Sequence, residues 1–146
     1  MATWRISWLD LDHPSSNTAY RLDHEDGSLV FTGDVEIRQG CRERLVEFAA
    51  EADVLVMDAQ YTNAEYPSRR GFGHSTPEDA VSVAADAGVA RLFLTHHDPT
   101  HDDLMLAQML AHARQFAGGK VQVDNARDGL EVEVGCGRPS KAARVR

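Results

Sequence analysis

The sequence predicts an α/β layered fold in which a β-hairpin leads into alternating strands and helices. Three observations carry that prediction. Asp26-Gly27 stands between two alternating runs, Ala19-Tyr20-Arg21-Leu22 and Ser28-Leu29-Val30-Phe31, which is the pattern of a hairpin turn. The continuous apolar runs Val54-Leu55-Val56-Met57 and Leu92-Phe93-Leu94 suit strands buried on both faces, as in a parallel sheet. Segments with helical spacing lie between and after them. The order therefore reads β-β-β-α-β-α-β-α-β-β, a layered sheet rather than a bundle.

Each element has its own warrant. Trp4, Ile6 and Trp8 alternate with Arg5 and Ser7, which marks a first strand. A polar loop, Leu11 to Thr18, holds His13-Pro14-Ser15-Ser16-Asn17, and the hairpin ends at Thr32-Gly33-Asp34. A helix over residues 41–51 carries Leu45, Phe48 and Ala49 on one stripe. The segment from Ala59 to Gly73 contains Pro67, Gly71 and Gly73 and reads as irregular. A loop of that length inside a compact domain is functional or mobile. The helix over 77–87 has a clear start: Thr76 can cap it, Pro77 fits its first turn, and Glu78 and Asp79 suit its dipole. Gly88 stops it. Residues 102–117 carry Met105, Met109 and Phe116 at helical spacing, beside Leu106 and Leu110, and Gly118-Gly119 ends the run. Lys120 to Val123 and Leu130 to Val134, joined through Asp128-Gly129, are expected to close the domain as strands.

Composition bounds the function. The chain has 146 residues, 42% hydrophobic and 26% charged, as expected for one globular domain with a modest core. No apolar run approaches the ~18 residues of a membrane span. No charged-then-apolar leader opens the chain, so a membrane is not an expected partner and the expected location is cytoplasmic. Cys41 and Cys136 are far apart and read as reduced thiols. The net charge of −8, from 15 basic and 23 acidic residues, argues against a broad phosphate-backbone footprint. The basic stretch from Gly137 to Arg146 lacks an apolar period and is expected to be a disordered, solvated tail, with a nucleic-acid-binding arm as the alternative. The expected division is thus a folded unit over 1–135 and a tail over 136–146.

Chemistry gathers where strands end. His13, Asp34, Asp58 and His96 all stand at such ends, and His74 stands just before a helix start. Imidazole nitrogen and carboxylate oxygen are the donors that a hard-to-borderline divalent metal takes. Groups converging from separate loops suit a metal that polarises a phosphoryl oxygen. Asp98, His101, Asp102 and Asp103 read as the acidic first turn of a helix rather than as a metal patch.

A resemblance is carried, in order, by Leu11-Asp12-His13-Pro14 with Ala19-Tyr20-Arg21-Leu22, by Val30-Phe31-Thr32-Gly33-Asp34, by Ala52 to Ala59, and by Gly73-His74-Ser75-Thr76 with Leu94-Thr95-His96. Over about residues 5–134 the chain resembles the second half of the metallo-β-lactamase-fold hydrolases. The nearest branch is the phosphodiesterases, which include tRNA 3′-end endonucleases and cyclic-phosphodiester hydrolases. The resemblance implies the C-terminal half of an αββα sandwich: a mixed sheet with helices on one face. It also implies roles and ligands. His13 would be a ligand to one divalent metal, zinc or manganese. Asp34 would bridge two metals, and His96 would hold the second. His74 would donate a proton to the leaving oxygen, with Asp58 orienting it. The substrate would be a phosphodiester-containing small molecule or an RNA end.

The family's His-x-His-x-Asp-His motif occurs nowhere in the 146 residues; His96-His97-Asp98-Pro99-Thr100-His101 comes nearest, with the wrong spacing. The expectation is therefore a partial dinuclear site, completed by an N-terminal half, a partner or a second copy in a homo-oligomer. The alternative is a non-catalytic half-domain that dimerises or binds a protein partner through the apolar face the other half would cover.

Overall fold

The computed structural model describes residues 3–135. The expected basic tail and Cys136 lie outside the described residues. Six strands form one mixed sheet in sequential order: β1 (Arg5–Leu11), β2 (Asn17–His24), β3 (Gly27–Phe31), β4 (Val54–Asp58), β5 (Arg91–Thr95) and β6 (Gln122–Asn125). The first three pair antiparallel, and the pairing from β3 to β6 is parallel. The hairpin closes at the His24–Gly27 pair, as the Asp-Gly signal predicts. All strands except β2 run the same way, so the segments after β1, β3, β4 and β5 emerge at one sheet edge.

Helices α1 (Arg42–Phe48), α2 (Tyr66–Arg69), α3 (Pro77–Asp86) and α4 (Asp103–Ala117) complete the unit, with a 3₁₀ turn at Ile37–Gln39. The face of the sheet carrying Val30, Leu55, Met57, Leu92 and Leu94 forms the core with Leu45 and Ala49 of α1, with Ala80, Val83 and Ala84 of α3, and with Ala113 of α4. Alanine at these helix positions lets the backbone approach the sheet closely. The α3 start is a full capping box: the Thr76 hydroxyl accepts from the Asp79 N–H at 3.2 Å, and the Asp79 carboxylate accepts from the Thr76 N–H at 3.2 Å.

The structure corrects three expectations. Residues 130–134 form no strand, although Leu-Glu-Val-Glu-Val has the period of one. Instead the chain turns at Arg127–Leu130 and brings Val134 and Gly135 against Gly27 in the β2–β3 turn. The segment from Ala59 to Gly73 is not wholly irregular, because it holds α2. In α4 the buried stripe is Met109, Ala113 and Ala117, while Phe116 is exposed.

The opposite sheet face is open over its first three strands. Trp8 pairs with Tyr20, and Tyr20 with Phe31. These side chains and Ile6 and Trp4 line one surface, with exposures of 59% for Trp4, 58% for Ile6, 68% for Trp8, 48% for Tyr20 and 44% for Phe31.

Candidate functional site

The sheet edge described above carries every site residue that the sequence singled out. His13 follows β1, Asp34 follows β3, Asp58 ends β4, and His96 follows β5. His74 precedes the Thr76 cap of α3.

Asp58 is the fixed point. Its side chain is fully buried, and it accepts hydrogen bonds from the N–H groups of Val35 at 3.1 Å, Gln60 at 3.0 Å and Ser75 at 3.4 Å. Its Oδ2 lies 2.6 Å from His74 Nδ1. Burial pushes the Asp58 carboxyl up. Burial also pulls the His74 imidazole down, but the hydrogen bond and charge of Asp58 outweigh that and hold it above its ordinary value. With Nδ1 engaged, Nε2 is the His74 nitrogen left for other partners.

Donor atoms of His13, Asp34 and His74 all lie within 4.8 Å of one another. The His96 ring stacks on the His74 ring at 4.7 Å and 22°, and His96 Nδ1 is 3.5 Å from Asp34 Oδ1. All four residues therefore converge. The tightest trio, however, contains His74, the expected proton donor, rather than His96. The His96 backbone has φ 59°, a left-handed conformation uncommon outside glycine. Nitrogen and carboxylate donors in this array fit one divalent cation. His13 Nδ1 accepts from the Ser15 N–H at 3.1 Å, so a metal at Nε2 would require that contact to give way to a proton on Nδ1.

Two supporting residues carry no sequence signal of their own. The Asn17 side-chain amide donates to the carbonyls of Thr32 and Asp34, both at 2.6 Å, and so holds the turn that presents Asp34. Gly33 has φ 62°, and a Cβ there would meet Asn17 Oδ1 at 2.6 Å; only glycine fits. Glu36 is 1% exposed. Its carboxylate accepts from the Gly71 N–H at 2.8 Å, the Gly73 N–H at 2.9 Å, the Tyr66 hydroxyl at 2.7 Å and the Gln39 side chain at 3.0 Å. Burial pushes the Glu36 carboxyl up, but these bonds, Gly71 first, outweigh it and leave it below its ordinary value. The long segment before His74 is thus anchored rather than loose.

Other candidates fall away. Cys41 is free and buried, and burial pushes its thiol up, the opposite of an activated nucleophile. Asp102 caps α4 through the Met105 N–H at 2.8 Å, and His101 Nε2 lies 3.0 Å from Glu65 Oε1. His24, Glu25 and Asp26 also sit close together, in the hairpin turn. There His24 Nδ1 is already tied to the Asp26 N–H at 3.2 Å.

Comparison with known proteins matches residues 3–97 to the β-lactamase superfamily domain. Ribonuclease Z of Thermoplasma volcanium is 36% identical over 91 residues, which is 58% of this chain and 29% of that protein. Ribonuclease Z of Haloferax volcanii is 35% identical over 113 residues, which is 73% of this chain and 32% of that protein. The chain thus spans about a third or less of these relatives. Among solved structures, the metallo-β-lactamase fold protein YhfI from Bacillus subtilis superposes with a TM-score of 0.70 and 23% identity, covering 87% of this chain and 48% of that one. The short form of human tRNase Z gives 0.66 and 22%, covering 90% and 42%.

Proposed function

Because the chain belongs to the β-lactamase superfamily domain family, we propose that it is the C-terminal part of a metal-dependent hydrolase that cleaves phosphodiesters. The observation that carries this reading is the pairing of buried Asp58 with half-buried His74, beside the His13 and Asp34 donors. The relatives named ribonuclease Z favour an RNA end as substrate over a small phosphodiester.

His13, Asp34 and His96 would hold zinc or manganese; Asp34, which has donor atoms near both His13 and His96, would be the bridging ligand of a dinuclear site. When bound, such an ion supplies positive charge at phosphoryl oxygens and acidifies water. This chain's own part is proton handling. Asp58 holds His74 by Nδ1, which aims Nε2 and its proton toward the leaving oxygen. The burial of Asp58 keeps water from competing for that bond.

Two metals need more donors than these loops provide, so the site is read as incomplete. The open sheet face supports a complement. Taking roughly 200 Å² for each full side chain, the exposed parts of Trp4, Ile6, Trp8, Tyr20 and Phe31 amount to about 550 Å². That reaches the upper range for a patch on a monomer and approaches the ~800 Å² per partner of a standard interface. An N-terminal half of the sandwich, a partner or a second copy would cover it. The same face favours the second reading, a non-catalytic module that dimerises or binds a protein partner.

Metal content measured together with solution mass decides. The first reading expects stoichiometric manganese or zinc on the purified chain, lost in Asp34→Asn. A metal-free dimer overturns it in favour of the second. Among the described residues no helix is long and apolar enough to cross a membrane.

A further inference from the structure

The anchored segment before His74 ends in a sharply built turn. The Phe72 N–H donates to the Arg69 carbonyl at 3.1 Å. Arg70 has φ −57° and ψ 131°, and Gly71 has φ 85°. These are the angles of a type II turn, which demands glycine at its second corner. The turn sets the side chains of Arg69 and Phe72 at its two ends. The Glu36 carboxylate holds it from beneath through the N–H groups of Gly71 and Gly73.

What this mount presents is specific. The Arg69 guanidinium lies 5.7 Å from the Phe72 ring centroid and 5.8 Å from that of Tyr61. Tyr61 in turn meets His74 edge-on at 5.8 Å. One aromatic ring therefore separates Arg69 from the proton-handling histidine. Phe72 is 53% exposed, two residues before His74. Arg38, Arg42, Arg44 and Arg114 are each ion-paired. Arg69 and Arg70 make no ion pair among the described residues. In a chain of net charge −8, the long-range field repels a polyanion, so capture must rest on local cations such as these.

We propose that the Arg69–Phe72 turn is the substrate clamp of this edge, with Arg69 taking a phosphate of a single-stranded RNA end and Phe72 stacking on the neighbouring base. The proposal rests on the phosphodiester reading above. A guanidinium beside a rigidly held, exposed ring is the pairing that single strands use, because phosphate and base face alternate along them.

The test uses the full chain with two fluorescent probes of equal length, a short oligoadenylate and an abasic oligomer, read by anisotropy. Arg69→Ala is expected to weaken both probes, and Phe72→Ala to weaken only the oligoadenylate, by about tenfold. Phe72→Trp should retain oligoadenylate binding. Unchanged binding in Arg69→Ala, an unchanged preference for oligoadenylate in Phe72→Ala, or no binding by the parent chain overturns the proposal. Manganese binding, followed by electron paramagnetic resonance on the same samples, keeps the two readings apart. A chain that holds manganese and ignores RNA overturns the clamp alone. A chain that grips RNA through these residues without manganese supports the clamp and overturns the metal reading.

Discussion

Replacing Glu36 by alanine is the sharpest test of how the site is held. The substitution removes one carboxylate and leaves four donors: the N–H groups of Gly71 and Gly73, the Tyr66 hydroxyl and the Gln39 amide. Gly71 and Gln39 are exposed and rehydrate, whereas Gly73 and Tyr66 are buried. Two buried donors without partners, at roughly 1–3 kcal/mol each, give a loss of about 3 kcal/mol. With a urea slope of about 2 kcal/mol/M, the midpoint should fall by about 1.5 M, read by far-ultraviolet circular dichroism at neutral pH. The Glu36→Gln variant adds a pH signature. A carboxyl held below its ordinary 4.5 in the fold contributes stability that is present above pH 4.5 and lost as pH falls through the folded value. The parent and Glu36→Gln curves should therefore converge on acidification below about pH 4.5. A midpoint shift under about 0.3 M for Glu36→Ala, or parallel curves down to strong acid, would refute the account of Glu36 as the anchor.

Three further outcomes follow from the geometry. Gly33→Ala should cost about 2 kcal/mol by urea unfolding, since the turn demands positive φ and the new methyl strikes Asn17; manganese affinity should fall with it. Thr76→Ala should cost about 1 kcal/mol through the broken capping box, measured by the same unfolding experiment. Trp8→Lys should lower binding of the dye ANS and any self-association seen by light scattering, because it places charge in the middle of the open sheet face.

What the sequence made legible is what local chemistry decides. The Asp-Gly hairpin, the two apolar strands and the Thr76-Pro77 helix start are each written in a few adjacent residues, and each stands as expected. The convergence of His13, Asp34, His74 and His96 was also readable, because strands running the same way deliver their ends to one edge. Three things were not. Leu130 to Val134 has a strand's period, yet the stretch forms no strand among the described residues, so period alone misled. Helix α2 is only four residues long and sits among Pro67, Gly71 and Gly73; a distant carboxylate, Glu36, holds it through Tyr66. Asn17 and Glu36 themselves look like ordinary polar residues until the fold brings backbone groups from far along the chain to them. Which three donors come nearest depends on ring orientation, which spacing does not encode.

His96 illustrates a tension between durability and chemistry. Its backbone is held where glycine or asparagine would rest comfortably, at a cost of about 1 kcal/mol. Exchanging it for asparagine should therefore make the molecule melt at a higher temperature while removing an imidazole from the edge where the others meet. Under the function proposed above, the ring at this position trades melting temperature for a metal-ligating donor at the edge.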